Sequence, residues 1–253
     1  QVRKTCKRTN MEFLIANWKM NLVDFDNWLL AFNENFDNSS INNSLEIVIC
    51  PSFTQLAEVA QKSFFKNKIK IGAQNVSENP PGAYTGEIST EHLSQFGINY
   101  CIVGHSERRA LGESNSDVKN KVKKLLSKKI TPIVCFGESL EIQEKRETEK
   151  FLLSQLDYLL KDKDLDLNKC IFAYEPLWAI GKGVAADLQT INTSISYVKK
   201  VFDKNNSSLT VLYGGSVNKD NSPEILSADH ISGFLIGNSS LDGKEFANIA
   251  KNF

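Results

Sequence analysis

The fold class is decided by the stretch IFAYEP at residues 171–176 and by the repetition of its first half along the chain. Residues 171–174 are apolar or aromatic without polar alternation, which is typical of a strand covered on both faces of a parallel sheet. Seven further runs of this kind lie at 13–16, 46–50, 69–72, 100–103, 133–136, 210–213 and 234–236. The sequence therefore predicts eight strands.

Helix-like segments of mixed polarity separate these strands. They lie at 25–36, 53–64, 90–96, 117–126, 141–160, 188–202, 223–226 and 244–250. About eight strand-helix units in 253 residues, without a linker between them, predict a single α/β domain, a (β/α)₈ barrel, over residues 11–253. A doubly wound open sheet is the alternative.

The composition excludes several classes of protein. Thirty basic residues balance thirty acidic ones, so no overall charge favours nucleic acid or anionic lipid. No apolar run reaches the roughly 18–20 residues of a membrane helix. Five cysteines without a CxxC pair predict neither a disulfide scaffold nor a structural metal site. We therefore expect a protein that binds neither nucleic acid nor membranes.

Residues 1–10 differ from the rest because they carry four basic residues and no acidic one. We predict that this segment is an appendage to the barrel. It is either a tag or solvated tail preceding Met11, or the remnant of an organelle transit peptide.

In a barrel of this kind, chemistry lies where strands end. Asn17 and Lys19 follow the first predicted strand, His105 the fourth and Glu175 the sixth. Glycine-containing turns follow the seventh and eighth strands, at 213–216 and 237–240. Backbone N–H groups in such turns can bind phosphate, although a single turn of this type is more often only a tight turn.

His105 and Glu175 are the candidate acid-base groups. His105 precedes a short predicted helical turn whose dipole disfavours imidazolium, and a neutral imidazole can both donate and accept a proton. Glu175 precedes Pro176 at a rigid strand end. The segment 176–186 is punctuated by glycine yet apolar, which favours a lid that closes over a ligand. The other two histidines have no reactive neighbours in the sequence.

Together these segments resemble the triosephosphate isomerase family, in family order and over about residues 12–250. The matching motifs are NWKMN (17–21), GAQNV (72–76), GAYTGE (82–87), GHSERR (104–109), AYEPLWAIG (173–181), YGGSV (213–217) and GFLIG (233–237). The resemblance implies interconversion of dihydroxyacetone phosphate and D-glyceraldehyde 3-phosphate through an enediolate, in glycolysis and gluconeogenesis, with neither metal nor organic cofactor.

The resemblance also implies a role for each site residue. Glu175 is the base, neutral His105 moves protons between the substrate oxygens, and Lys19 and Asn17 stabilise negative charge, with Glu107 as a partner near Lys19. The phosphate is held mainly by main-chain N–H groups of Gly181, Gly215, Ser216, Gly237 and Asn238. Two positions depart from the commonest family pattern: Lys182 replaces a frequent Thr in the lid, and Asn238 replaces a second Gly.

The loop at 75–87 resembles the one through which this family forms homodimers, with Thr85 reaching the partner's site. Cys135 resembles a family cysteine near the base, and we interpret it as structural. The family default is a cytoplasmic location, and the basic segment 1–10 keeps a plastid or other organelle open. Two alternatives remain: a phosphate-binding barrel that catalyses aldol cleavage or sugar-ring isomerisation, and a barrel retained only for binding partners.

Overall fold

The computed structural model describes residues 11–36, 44–66, 69–180, 185–204 and 209–253, and within them a closed barrel. The strands, all parallel and paired in chain order, are β1 Glu12–Asn17, β2 Leu45–Cys50, β3 Lys70–Ala73, β4 Tyr100–Val103, β5 Thr131–Phe136, β6 Ile171–Tyr174, β7 Thr210–Tyr213 and β8 Ile231–Ile236. Strand β8 closes on β1, from Phe13 opposite Gly233 to Ala16 opposite Ile236. The predicted (β/α)₈ barrel is confirmed, and closure excludes the open sheet.

Helices surround the barrel. They are α1 Phe25–Asn35, α2 Phe53–Lys66, α3 Thr90–Gln95, α4 Ser106–Ala110, α5 Asn115–Ser127, α6 Leu140–Glu144, α7 Thr148–Leu160, α8 Leu188–Lys204, α9 Ser222–Leu226 and α10 Gly243–Ala250. In the described part of the chain, no helix has the length and apolar character needed to cross a membrane.

Alternation along the strands divides the core into two layers. In β1, Phe13 and Ile15 belong to the cluster inside the barrel, whereas Leu14 and Ala16 belong to the layer that also contains Trp28 of α1. The inner cluster consists of Phe13, Ile15, Val48, Cys50, Tyr100, Ile102, Ile133, Cys135, Ile171, Ala173, Leu212 and Leu235. Both faces of each strand are thus buried, which explains the continuous apolar runs in the sequence.

The prediction of one helix over 141–160 is wrong. Residues 145–147 interrupt it, and Arg146 has a φ of 58°. Residues 141–150 contain no buried side chain, whereas Leu152, Leu156 and Leu159 of α7 are buried. A helix is stabilised mainly by an apolar face packed against the core. The charged residues at the start of this segment lack such packing, so the helix does not continue through them.

Strand β8 contains a β-bulge in its pairing with β7. Val211 of β7 lies opposite Ile231, but Tyr213 lies opposite Phe234, so β8 carries one extra residue. Gly233, with a φ of 133°, lies within this bulge, and a Cβ there would come 1.8 Å from the Phe13 carbonyl oxygen. Only glycine fits this close approach.

Candidate active site

A cavity of about 460 Å³ lies at the carboxyl ends of the strands. Parallel strands bring their carboxyl ends to one mouth, so residues far apart in sequence meet there. The predicted site residues that line the cavity are Asn17, Lys19, His105, Glu175, Gly215, Ser216, Gly237 and Asn238. Glu107 is not among the lining residues, Thr85 is exposed on its own loop, and Gly181 and Lys182 lie outside the described residues.

Glu175 and His105 are both buried and contact each other directly. His105 Nε2 lies 3.1 Å from Glu175 Oε1, and the Ser106 N–H donates to Glu175 Oε2 at 3.3 Å. The Glu107 N–H donates to His105 Nδ1 at 3.2 Å. Because Nδ1 accepts this hydrogen bond, the proton of a neutral ring lies on Nε2, which faces the cavity and Glu175.

Each member of this pair shifts the pKa of the other. Burial lowers the pKa of His105, but the charge of Glu175 and its hydrogen bond raise it, and the net direction is upward. Burial raises the pKa of Glu175, but the charge of His105 and its hydrogen bond lower it, and the net direction is downward. In contact with Glu175, the pKa of His105 is thus shifted in the direction opposite to the one expected from the helix dipole.

The backbone around Glu175 fits closely against two glycines. The Glu175 N–H donates to the Phe136 carbonyl at 2.7 Å, and the Gly214 N–H donates to the Tyr174 carbonyl at 2.8 Å. A Cβ at Gly137 would lie 1.7 Å from the Glu175 carbonyl oxygen. These contacts fix the position from which the carboxylate enters the cavity.

Lys19 enters the site in a left-handed backbone conformation, with a φ of 51°. Its N–H donates to Asn17 Oδ1 at 3.0 Å, and its carbonyl accepts from Gln74 Nε2 at 2.8 Å. Lys19 Nζ lies 2.7 Å from Glu107 Oε1. Such a conformation is costly for a residue other than glycine, and here two side chains hold it in place.

The two glycine turns come together on the other side of the cavity. A Cβ at Gly215 would lie 2.3 Å from the Tyr213 hydroxyl, so the turn requires glycine there. The turn after β8 is held by two tryptophan side chains: Trp18 and Trp28 both donate to the Ser240 carbonyl, at 3.1 and 2.9 Å. The two phosphate-type turns of the sequence therefore border one cavity.

Both described ends of the predicted lid are anchored. At its start, Trp178 Nε1 donates to the fully buried Glu138 at 3.0 Å, and the Ser216 hydroxyl donates to the Ala179 carbonyl at 2.8 Å. At its end, the Ala186 N–H donates to the Tyr213 hydroxyl at 2.9 Å.

Three supporting residues were missed in the sequence analysis. Gln74 directly follows β3, and Glu138 comes two residues after β5, so the rule that placed the other candidates after strands could have found both. Asn221 lies further along the loop after β7, where only its spacing of three from Asn218 gives a signal. Among the described residues, no group of His, Cys, Asp or Glu is arranged to hold a metal ion.

Comparison with known proteins agrees with this geometry. The profile of the family described as triosephosphate isomerase matches residues 12–253. The chain belongs to the triosephosphate isomerase family. Curated triosephosphate isomerases include those of Alkaliphilus metalliredigens, 37% identical over 93% of this chain and 97% of the relative, and Colwellia psychrerythraea, 38% identical over 94% and 96%. That of Aquifex aeolicus is 39% identical over 95% of this chain and 98% of the relative.

Membership of this family confirms the isomerase activity expected from the sequence. The family acts on phosphorylated triose substrates. An aldolase is therefore excluded as the alternative reaction class.

Proposed function

We propose that the cavity binds dihydroxyacetone phosphate or D-glyceraldehyde 3-phosphate and that Glu175 and His105 interconvert them. The observation that carries this proposal is the buried carboxylate and imidazole, 3.1 Å apart, on a cavity bordered by two glycine turns. Burial strengthens electrostatic interactions because little water screens them.

Glu175 takes the proton from the carbon next to the carbonyl, and the electron pair of that C–H bond moves into the carbonyl to form an enediolate. The same carboxyl group returns the proton to the neighbouring carbon, and the hydroxyl proton passes to the other oxygen through His105, so the isomerisation needs no further reactant. In this step the base becomes neutral, so the charge that raises the pKa of His105 is removed.

His105 donates from Nε2 to the substrate carbonyl and moves protons between the two substrate oxygens. For this the substrate oxygen must replace Glu175 Oε1 as the partner of Nε2. Burial and the Glu107 N–H at Nδ1 then both favour the neutral ring. The neutral His105 predicted from the sequence thus belongs to the substrate complex.

Lys19 supplies positive charge to the developing oxyanion, and Asn17 supports it by accepting from the Lys19 N–H. Glu107 orients the Lys19 ammonium by their 2.7 Å ion pair. This pair is largely exposed, so we assign Glu107 an orienting role and not that of a base.

The phosphate group binds at the two turns, to N–H groups of Gly215, Ser216, Gly237 and Asn238. Asn238 retains the N–H that a second glycine would offer. Gly181 completes this set when the lid at 176–186 closes, as we expect from the resemblance.

We further propose that the protein acts as a homodimer formed through the loop at 75–87, with Thr85 reaching the partner's Asn17 and Lys19. Large apolar side chains near the site support this, since Met20 is 98% exposed, Leu22 is 83% exposed and Tyr84 on the loop is 45% exposed. A dimer would remove these side chains from water.

A cytoplasmic location is our proposal for the cell, with the organelle alternative tested by imaging a tagged full-length product. Residues 1–10 lie outside the described residues, and their separation from the barrel as an appendage stays a prediction.

The test is a coupled assay of glyceraldehyde 3-phosphate conversion, comparing the unchanged protein with Glu175→Gln. Replacing the base by an amide should lower kcat at least a hundredfold, since acid-base groups contribute about 10²–10⁴ in rate. Glu149→Gln, an exposed site on α7, is the matched control and should keep full activity. Equal activity in Glu175→Gln would remove Glu175 from its role, and no turnover by the folded protein would favour a barrel used only for binding.

A further inference from the structure

The turn after β7 is held by side chains that the reaction itself does not use. Ser216 donates its hydroxyl to the Ala179 carbonyl, and its own carbonyl accepts from Asn221 Nδ2 at 3.1 Å. Among the described residues, the N–H of Ser216 has no partner. Because Ser216 lines the cavity, this N–H is the donor left for a ligand.

Asn221 binds both peptide groups that flank Val217. Its Nδ2 donates to the Ser216 carbonyl, and its Oδ1 accepts from the Asn218 N–H at 2.8 Å. A trans peptide is planar, so fixing one of its polar groups fixes the direction of the other. The carboxamide of Asn221 therefore sets the orientation of both peptides at the back of the turn.

The side chain of Asn221 binds the turn and does not cap the helix that follows it. Asn221 is the N-cap residue of α9, where asparagine usually caps its own helix, yet here its side chain makes no capping hydrogen bond. Its N–H donates instead to Asn218 Oδ1 at 2.9 Å, so the two asparagines bind each other reciprocally. The local helix gains nothing from this side chain, whereas the turn gains two hydrogen bonds.

A second hydrogen bond reaches the same turn from the neighbouring turn after β8. The Ser239 hydroxyl, on the turn after β8, donates to the Val217 carbonyl at 2.7 Å. This bond joins the two turns directly across 22 residues of sequence. It fixes their separation, which decides whether N–H groups from both turns can reach the same phosphate.

We propose that Asn221 and Ser239 are positioning residues for the phosphate end of the substrate. They hold the two peptides that directly follow Ser216, and so fix the end of the turn that carries the Ser216 N–H and its distance from the turn after β8. This inference rests on the proposed phosphate site, and it assigns the rigidity of that site to two side chains that need not touch the substrate.

The experiment compares Asn221→Ala, Ser239→Ala and the double variant with Asn252→Ala as the matched control. Asn252 Nδ2 also donates to a carbonyl of this loop, that of Lys219 at 3.1 Å, but outside the turn. Each protein is assayed with glyceraldehyde 3-phosphate, with D-glyceraldehyde, which lacks the phosphate, and with inorganic phosphate as a competitive inhibitor. Thermal unfolding shows which variants are folded.

Ser239→Ala removes one hydrogen bond to the turn and should raise the KM for glyceraldehyde 3-phosphate and the inhibition constant of phosphate about two- to tenfold. Asn221→Ala removes two and should raise both about fivefold to a hundredfold. kcat at saturation and kcat/KM for D-glyceraldehyde should stay unchanged, because that substrate has no phosphate to be held. The control should match the unchanged protein in all three assays.

Unchanged phosphate inhibition in the folded variants, or an equal loss with both substrates, would overturn the proposal. If Asn221→Ala does not fold, Ser239→Ala decides alone, since it removes only a hydroxyl. If phosphate does not inhibit even the unchanged protein, the phosphate site itself fails, and that result is distinct from a failure of the two positioning residues.

Discussion

Gln74 should be essential to the active conformation of Lys19. Its amide donates to the Lys19 carbonyl at 2.8 Å and to the Cys50 carbonyl at 2.9 Å, joining the ends of β1 and β2. At about 0.5–1.5 kcal/mol each, these bonds contribute about 1–3 kcal/mol. The left-handed backbone of Lys19 costs about 1–3 kcal/mol, and without Gln74 only the hydrogen bond from the Lys19 N–H to Asn17 Oδ1 remains to hold it.

We therefore expect Gln74→Ala to lower kcat/KM about fivefold to a hundredfold, the kinetic equivalent of that energy. The measurement is the coupled assay at several substrate concentrations, with thermal unfolding to confirm folding. Gln55→Ala is the matched control, because Gln55 Nε2 donates to the Val23 carbonyl at 2.7 Å, four residues beyond Lys19 on the same segment. Full activity in folded Gln74→Ala, or the same loss in Gln55→Ala, would refute the reasoning.

Four further predictions follow from the site and its surroundings. In Glu175→Gln, the pKa of His105 measured by NMR should fall, because the charge that raises it is gone while burial still lowers it; an unchanged pKa would contradict the pair. Since the folded pKa of His105 is raised and that of Glu175 lowered, both contributions to stability are fully present only between the ordinary values of 4.5 and 6.5. The difference in unfolding free energy between the unchanged protein and Glu175→Gln should be largest in that window. It should shrink as the pH rises through the raised pKa of His105, or falls through the lowered pKa of Glu175. Gly137→Ala should cost about 3 kcal/mol in urea unfolding, because its Cβ meets the backbone of Glu175, whereas Gly82→Ala, with its nearest contact at 3.4 Å, should cost under about 1 kcal/mol. Met20→Lys should shift sedimentation toward the monomer, and an unchanged dimer would show that this exposed side chain lies outside the interface.

The barrel could be predicted from the sequence because both faces of its strands are buried. Runs such as 133–136 and 171–174 stay apolar throughout, and each occurs as a strand close to its predicted bounds. The helix at 141–160 could not be predicted correctly, since its helix-forming composition does not reveal that residues 141–150 lack contact with the core. Helix formation there depends on tertiary burial, which composition alone does not report.

The reactive side chains could be predicted because each directly follows a strand. Asn17, Lys19, His105 and Glu175 meet at one cavity, as the parallel topology requires. Their ionisation could not be predicted in the same way. The dipole of the helix after His105 is a local feature of the sequence, but the 3.1 Å contact with Glu175, which reverses the shift in pKa, joins residues 70 positions apart.

The roles of the residues that hold the site cannot be read from a single sequence. They act on backbone carbonyls of distant segments: Trp18 on Ser240 across 222 residues, Gln74 on Lys19 across 55, and Ser239 on Val217 across 22. A carbonyl acceptor leaves no trace in the sequence, because every residue provides one. Trp18 and Gln74 lie within the motifs NWKMN and GAQNV, but a motif does not show which carbonyl a side chain binds, so the structure is needed to assign these donors. Ser239 lies outside the motifs, and its substitution should change substrate affinity at constant kcat.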